Sequence, residues 1–258
     1  MGNFSEKISL IDAHAHLEEL SDLPESLSEA KTSEIKGIVA VGMDLESNKK
    51  TLEIARAHRG FVFPAIGFHP WRIQEYEIEG NLSFLEDHIG DCIALGEIGL
   101  DYKANVKKEL QWEVLGKILT LALRWDKPVI LHCRYSHKRT YQMVVERGIK
   151  RALFHWYSGP LDLLDKILES GYFISATPAL AYSPFHQEAI KKTPLGRILL
   201  ETDTPVIYQG KESRPIDVRI SLKEVARIKG LELSVVAKET TLNAIQFFQF
   251  PFNSSLLL

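Results

Sequence analysis

The sequence predicts an α/β fold, a (β/α)8 barrel of the TIM-barrel type, formed by one domain that spans residues 1–258. Three observations support this fold class. The chain of 258 residues has the length of such a barrel. Short apolar runs alternate with segments of helical periodicity along the whole chain. Histidines and carboxylates follow several of the apolar runs, at the strand ends where barrel enzymes carry their functional groups.

Eight apolar runs are predicted as strands. Most are unbroken, as expected for parallel strands that are covered on both faces. They lie at residues 8–13, 36–42, 61–66, 92–97, 128–132, 151–155, 171–176 and 197–201. A doubly wound open sheet is the main alternative, but no glycine-rich phosphate loop follows the first run.

The segments between these runs are predicted as helices. The clearest begins near Asn105, where Leu110, Val114, Ile118 and Leu121 recur at helical spacing with charged residues between them. Other helices are expected at residues 46–58, 82–89, 137–147, 161–169 and 185–192, and two more follow the eighth strand, at residues 216–229 and 234–248.

Composition and charge exclude several classes of protein. The formal net charge is −3, so no global basic field attracts nucleic acid. No apolar run is long enough for a transmembrane helix, and the polar residues 1–7 lack the features of a signal peptide. Cys92 and Cys133 form no metal-type pair, and we interpret Cys133 as a core residue. We therefore expect a cytoplasmic protein with no membrane association and no obligate protein partner.

Two histidines separated by one residue follow the first strand. Residues i and i+2 of a strand project to the same side, so His14 and His16 can point at one spot. Neutral imidazole is a common ligand for divalent metals, and the small Ala13 and Ala15 leave room beside the rings. Taken alone, the pair is also compatible with two surface histidines beside a loop.

Four other predicted strands end in similar residues, namely Glu97, His132, His155 and Asp203. Each one alone has a structural explanation, such as a hydrogen-bonded core histidine or a charge at the rim. Together, four histidines and two carboxylates converge on one mouth of the barrel. Because buried unpaired carboxylates are costly, we expect a cationic centre among them.

Six nitrogen and oxygen ligands exceed the needs of one tetrahedral zinc ion and suit two divalent ions bridged by Glu97. Two such ions can activate a water and stabilise the attacking and leaving oxygens of a phosphoryl displacement. Asp203 is placed to hold the water and to accept its proton, so Asp203 and Glu97 are the predicted catalytic residues. The lack of thiolate ligands favours Mg²⁺, Mn²⁺ or Zn²⁺ without choosing among them.

Six segments, in order between residues 8 and 205, resemble the TatD family of metal-dependent deoxyribonucleases. They are His14–His16, Gly67–Pro70, Gly96–Tyr102, His132–Arg134, His155–Gly159 and Glu201–Pro205. The resemblance implies an amidohydrolase-like TIM barrel and a metal-dependent hydrolase with DNA as its substrate. Other branches of that superfamily often carry a carboxylated lysine at strand four, so Glu97 favours the TatD branch.

The resemblance also implies how the two metal ions are held. One ion would lie on His14, His16, Glu97 and Asp203, and the other on Glu97, His132 and His155.

Four further residues are candidate contacts to a substrate phosphate, namely His69, Arg134, Tyr157 and Ser158. His69 could instead fix a turn, and Arg134 could pair with Asp101 or Glu97. Tyr157 and Ser158 could instead close the loop at Gly159. Asp101 could orient a metal ligand.

Two loops depart from the family pattern. Residues 176–179 lack the glycine-containing segment that is common there, and residues 206–215 lack an Asn-x-Pro that many members carry. Both loops would line the substrate entrance, which leaves the identity of the substrate open. The alternatives are hydrolysis of a small ester, amide or lactone, and a non-catalytic metal-dependent binding protein. The apolar tail, residues 251–258, is expected to pack on the barrel or on a second subunit.

Overall fold

A computed structural model describes residues 8–250, so the predicted packing of the tail lies outside the described residues. Eight parallel strands form one sheet whose spatial order follows the chain order. The strands are β1 (Leu10–Ala15), β2 (Ile35–Val41), β3 (Val62–Ile66), β4 (Ala94–Asp101), β5 (Val129–Arg134), β6 (Ala152–Phe154), β7 (Phe173–Ala176) and β8 (Ile198–Leu200). The backbone N–H of His16 donates to the carbonyl of Thr204 (2.8 Å), which brings the chain after β8 back to β1. The predicted (β/α)8 barrel is confirmed.

Helices connect the strands and cover the outside of the barrel. They are α1 (Leu23–Lys31), α2 (Leu45–Ala57), α3 (Ile78–His88), α4 (Lys108–Arg124), α5 (His137–Glu146), α6 (Leu161–Glu169), α7 (Pro184–Lys192), α8 (Val218–Lys229) and α9 (Leu233–Phe248). A short hairpin, β9 (Ile207–Tyr208) and β10 (Lys211–Glu212), precedes α8. Neither α1 nor this hairpin was predicted. No helix within residues 8–250 is long and apolar enough to cross a membrane.

Local sequence signals set several of these boundaries. The Asp44 side chain accepts the backbone N–H of Ser47 (2.9 Å), and the Ser47 hydroxyl accepts the backbone N–H of Asp44 (2.8 Å). This capping box begins α2 directly after β2. At the other end of the chain, α8 ends at Gly230, whose positive φ of 64° suits glycine.

The interior of the barrel is apolar at the end opposite the predicted site. One buried cluster takes residues from all eight strands, including Ile11, Phe63 and Leu153, and is closed by Phe247 and Phe248 of α9. A second, larger cluster lies between the strands and the helices. Because apolar side chains fill one end, the polar side chains gather at the carboxyl ends of the strands.

Gly67, after β3, allows a close approach to β4. Its backbone is held by the Asn48 side chain, and a Cβ atom on Gly67 would lie 2.6 Å from the backbone nitrogen of Glu97. We expect Gly67→Ala to cost about 1–3 kcal/mol through overpacking and to lower Tm by roughly 2–12 °C in calorimetry. Gly80→Ala is the control, because within residues 8–250 no atom outside the adjoining backbone of its own helix lies within 4 Å of the added methyl group. Equal Tm values for the two variants would contradict this reading.

Candidate metal centre

Glu97 lies at the centre of a cluster of histidines at the carboxyl end of the barrel. Its Oε1 atom lies 2.8 Å from His132 Nδ1, 2.9 Å from His155 Nε2 and 3.3 Å from His69 Nε2. The Glu97 side chain is almost fully buried. The chain after β3, the end of β5 and the chain after β6 thus each place a histidine at one carboxylate oxygen of β4.

The second oxygen of Glu97 faces a different group. Glu97 Oε2 lies 3.3 Å from His16 Nε2 and 3.5 Å from His14 Nε2. Asp203 Oδ1 lies 3.4 Å from His14 Nε2 and 3.6 Å from His16 Nε2. The six predicted ligands are therefore brought together, and the two oxygens of Glu97 divide them into two groups.

Three of the rings have a second hydrogen-bond partner on the side away from Glu97. These hydrogen bonds join His16 Nδ1 to Val41 O (2.9 Å), His155 Nδ1 to Glu201 Oε1 (3.4 Å) and His132 Nε2 to Asp101 Oδ2 (3.0 Å). In a neutral ring the nitrogen that donates leaves the other one as an acceptor. Partners behind the ring in this way are typical of metal-ligating histidines.

The donor set fits a divalent metal. Three ring nitrogens face the oxygens of Glu97 at 2.8–3.3 Å, and each of these contacts needs a proton or a cation between the two atoms. Two ligands that bind one ion at about 2.0–2.2 Å each are separated by about 3 Å. The separations in this cluster are of that size, and the ligand atoms are the imidazole nitrogens and carboxylate oxygens that divalent ions take.

The pKa values show that the cluster stabilises positive charge. Burial opposes charge on His16, but Glu97 above all other groups raises its pKa to about 10. Burial also opposes charge on His155, yet Glu97 and Glu201 raise its pKa well above the ordinary value. Burial alone would raise the pKa of Glu97, whereas the neighbouring histidines, His69 first, hold it well below the ordinary value.

His69 differs from the other rings. Its Nδ1 atom accepts the backbone N–H of Trp71 (3.2 Å), so its Nε2 atom carries the proton and donates to Glu97 Oε1. Burial lowers the pKa of His69 to about 4, which keeps the ring neutral. His69 therefore offers an N–H donor to the centre rather than a lone pair.

A cavity of about 730 Å³ opens above the cluster. Its wall includes Trp71, Arg134, Trp156, Ser158 and Ile207. The volume lies within the range of about 300–1,000 Å³ that is common for ligand sites. Arg134 is exposed and forms no ion pair among the described residues, so the expected alternative pairing with Asp101 or Glu97 is not seen.

The prediction of Tyr157 as a substrate contact requires correction. Tyr157 is fully buried, its hydroxyl donates to the carbonyl of Pro160 (2.7 Å), and it does not line the cavity. Tyr157 therefore closes the loop after β6, whereas its neighbour Ser158 is exposed at the cavity wall. Cys133 is half-buried against the core, and burial raises the pKa of its thiol to about 12, which keeps it protonated.

Comparison with known proteins assigns the chain that carries this site to a family. The sequence model of a family described as TatD related DNase matches residues 11–249, nearly the whole chain. The chain belongs to this family. It is accordingly a metal-dependent hydrolase that acts on ester bonds, and the resemblance drawn from its motifs is confirmed.

Individual members of the TatD family match this chain over most of its length. Deoxyribonuclease TATDN3 from Homo sapiens is 30% identical over 260 residues, which cover 93% of this chain and 95% of that protein. An uncharacterized metal-dependent hydrolase from Haemophilus influenzae is 30% identical and covers 93% of this chain and 99% of its own length. The crystal structure of YjjV, a TatD homolog from Escherichia coli, has a TM-score of 0.85 at 26% identity, covering 94% of this chain and 98% of that one.

Two acidic residues of this TatD-family site were given no role by sequence reasoning. Asp12 accepts the backbone N–H of Thr202 (2.9 Å) and its hydroxyl (2.6 Å), and so ties β1 to the chain after β8. Glu201 accepts the backbone N–H of Trp156 (3.1 Å) and faces His155. The sequence signal that could have identified both residues is their position, because each lies two residues before a predicted ligand.

Glu201 is expected to control metal affinity through its contact with the ligand histidine His155. It is fully buried, and ring nitrogens of His14 and His155 lie within 4.8 Å of one of its oxygens and of each other. Because Glu201→Gln removes the charge that orients His155, we expect metal affinity to fall by about 10- to 100-fold in competition titrations with a chelator. The exposed Glu212→Gln on β10 is the control. Unchanged affinity in Glu201→Gln would assign Glu201 to packing alone.

Proposed function

We propose that this protein, a single domain over residues 1–258, is a deoxyribonuclease that hydrolyses phosphodiester bonds with two divalent metal ions. The observation that carries this proposal is the division of the ligands by Glu97. One carboxylate oxygen faces His132 and His155, and the other faces His14 and His16. A carboxylate whose two oxygens face separate groups of ligands can bridge two metal ions, as a two-metal hydrolase would use it.

The ligands would be shared as follows. His14, His16, Asp203 and Glu97 Oε2 would hold one ion, and His132, His155 and Glu97 Oε1 the other. Imidazole and carboxylate donors without a thiolate suit Mg²⁺, Mn²⁺ or Zn²⁺. When bound, such ions lower the pKa of a coordinated water and neutralise charge on the phosphoryl group.

The chain's own residues would perform the remaining steps. The Asp203 carboxylate, at the wall of the cavity, would accept the proton of the attacking water. The hydroxyl of Ser158 would donate to a phosphate oxygen. With a metal ion on Glu97 Oε1, the Nε2–H of His69 would turn from that oxygen to the phosphate. The Arg134 guanidinium, which has five donors in a planar fork, would hold the charge of the phosphate.

DNA is the proposed substrate because the human relative is described as a deoxyribonuclease and because Arg134, which forms no ion pair within the described part of the chain, lies at the cavity. A small ester, amide or lactone is the second candidate substrate. It is favoured by Val206 and Ile207, which give the cavity an apolar wall in the segment that departs from the family pattern.

The decisive experiment is cleavage of end-labelled single-stranded DNA by protein stripped of metal, with Mg²⁺, Mn²⁺ or Zn²⁺ added back singly. A metal-dependent ladder of shortened products is expected, and its label position gives the polarity. Restored cleavage also excludes a purely binding protein. If DNA stays intact while a panel of esters, amides and lactones is hydrolysed, the nuclease proposal is wrong and the second candidate replaces it.

A further inference from the structure

We propose that the indole ring of Trp71 is a stacking platform for an unpaired nucleobase of the substrate. This inference rests on the proposed deoxyribonuclease function and adds a base-binding subsite beside the metal centre. Trp71 follows β3 and lines the cavity together with Glu97, His132 and Arg134. None of the roles assigned above uses its side chain.

The ring of Trp71 is held in place and still accessible. Its Nε1–H donates to Asp101 Oδ2 (2.5 Å), and its backbone N–H donates to His69 Nδ1 (3.2 Å). Despite these bonds, 52% of the residue is exposed. A large aromatic side chain that is fixed at one edge and exposed over much of its surface is ready to bind a flat partner without a further loss of side-chain freedom.

The position of the ring fits a base whose phosphate lies at the cluster. The Trp71 ring stands at 77° to the His69 ring, with 4.7 Å between centroids, and at 73° to the His132 ring at 5.5 Å. Both histidines contact Glu97. A nucleotide phosphate held there therefore has its attached sugar and base within reach of the indole.

The surroundings favour a nucleobase over other flat groups. Arg134 lines the same cavity as an exposed cation without an ion pair among the described residues, so it can neutralise a flanking phosphate. Aromatic platforms beside cations are typical of sites for single-stranded nucleic acid. A base inside a duplex is covered on both faces by its neighbours, so only an unpaired base can stack on Trp71.

Asp101 links this subsite to the metal centre. The same Oδ2 atom that accepts the Trp71 Nε1–H also accepts from His132 Nε2 (3.0 Å). Loss of the indole therefore has two separable consequences: loss of the stacking surface, and loss of one donor to Asp101. A Trp71→Phe variant keeps an aromatic face and removes the donor, whereas Trp71→Ala removes both.

The test measures binding without relying on cleavage. Fluorescence anisotropy gives Kd for two labelled single-stranded phosphorothioate oligomers in the presence of Mn²⁺. One is oligo(dT), and the other carries abasic residues throughout. Base–aromatic stacking predicts that Trp71→Ala weakens oligo(dT) binding by about 5- to 100-fold and leaves abasic binding within about twofold of wild type. Trp71→Phe should recover most of the loss, and Trp125→Ala, which alters a half-exposed indole at the end of α4, should change neither Kd.

The outcomes separate this inference from the proposed function. Equal losses on both oligomers, no loss on oligo(dT), failure of Trp71→Phe to recover binding, or no binding by the wild type would each overturn the stacking platform. If the predicted discrimination is found but the wild type cleaves no DNA, the subsite stands as a nucleobase site and the deoxyribonuclease proposal fails.

Discussion

A Glu97→Gln variant is expected to bind fewer than two metal ions per chain and to lose about 10³-fold in kcat, which corresponds to several kcal/mol of transition-state stabilisation. The two oxygens of Glu97 contact both groups of histidines, at 2.8–3.5 Å. Glutamine replaces one oxygen with an NH₂ group, which cannot bind a cation, and removes the negative charge. Metal content after dialysis, measured by mass spectrometry, and kcat on single-stranded DNA check this expectation.

Glu212→Gln is the matched control, because it makes the same chemical change at an exposed position on β10. The control should retain the metal content and the kcat of the wild type. Two ions per chain in Glu97→Gln would contradict the bridging role. Loss of one ion alone agrees with the expectation, because the remaining amide oxygen of the glutamine can still bind the other ion.

The strand order and the clustering of the six candidate ligands could be predicted because they follow from simple geometry. Parallel strands in a barrel end at one mouth, so residues that directly follow the strands must meet there. His14 and His16 added a second constraint, because alternation along a strand points both side chains to one side. Their roles as ligands remain proposals, but their proximity required no knowledge of the contacts between them.

The sequence predicts a helix or strand less well where that element contains few apolar residues. Helix α1 buries Leu27 and Ala30 but has little other apolar surface, so the helical periodicity of apolar residues in its sequence is weak. The β9–β10 hairpin has strands of two residues each, too short for an alternating pattern. Tyr157 was ambiguous because a tyrosine hydroxyl can donate to a phosphate or to a backbone carbonyl, and only its burial decides between the two.

Strand β4 extends beyond its predicted end. The prediction ended this strand at residue 97, but β4 continues to Asp101. Gly99 has a positive φ of 145°, and a Cβ atom there would collide with the carbonyl of His132. Gly99 therefore permits close packing of β4 on β5 and does not end the strand. The extension pairs Asp101 with Arg134 in register and sets the Asp101 carboxylate beside His132.

An Asp203→Asn variant is expected to fold normally and to lose about 10²- to 10⁴-fold in kcat, the contribution of a general base. Asp203 has a positive φ of 53°, which asparagine tolerates as well as aspartate, and its backbone N–H donates to the carbonyl of His14 (2.9 Å). The change therefore removes the charge and the proton acceptor while it leaves the backbone intact. Single-turnover cleavage of labelled DNA, together with Tm, tests both parts.

The loss in Asp203→Asn must also be separated from weaker metal binding, since Asp203 Oδ1 lies 3.4 Å from His14 Nε2 and 3.6 Å from His16 Nε2. If Asp203 acted only as a ligand, raising the metal concentration would restore kcat, because saturation would refill the site. If Asp203 accepts the proton, kcat stays low at saturating metal, since an amide oxygen is too weak a base. A kcat within twofold of wild type would assign the proton to another group and remove Asp203 from the catalytic step.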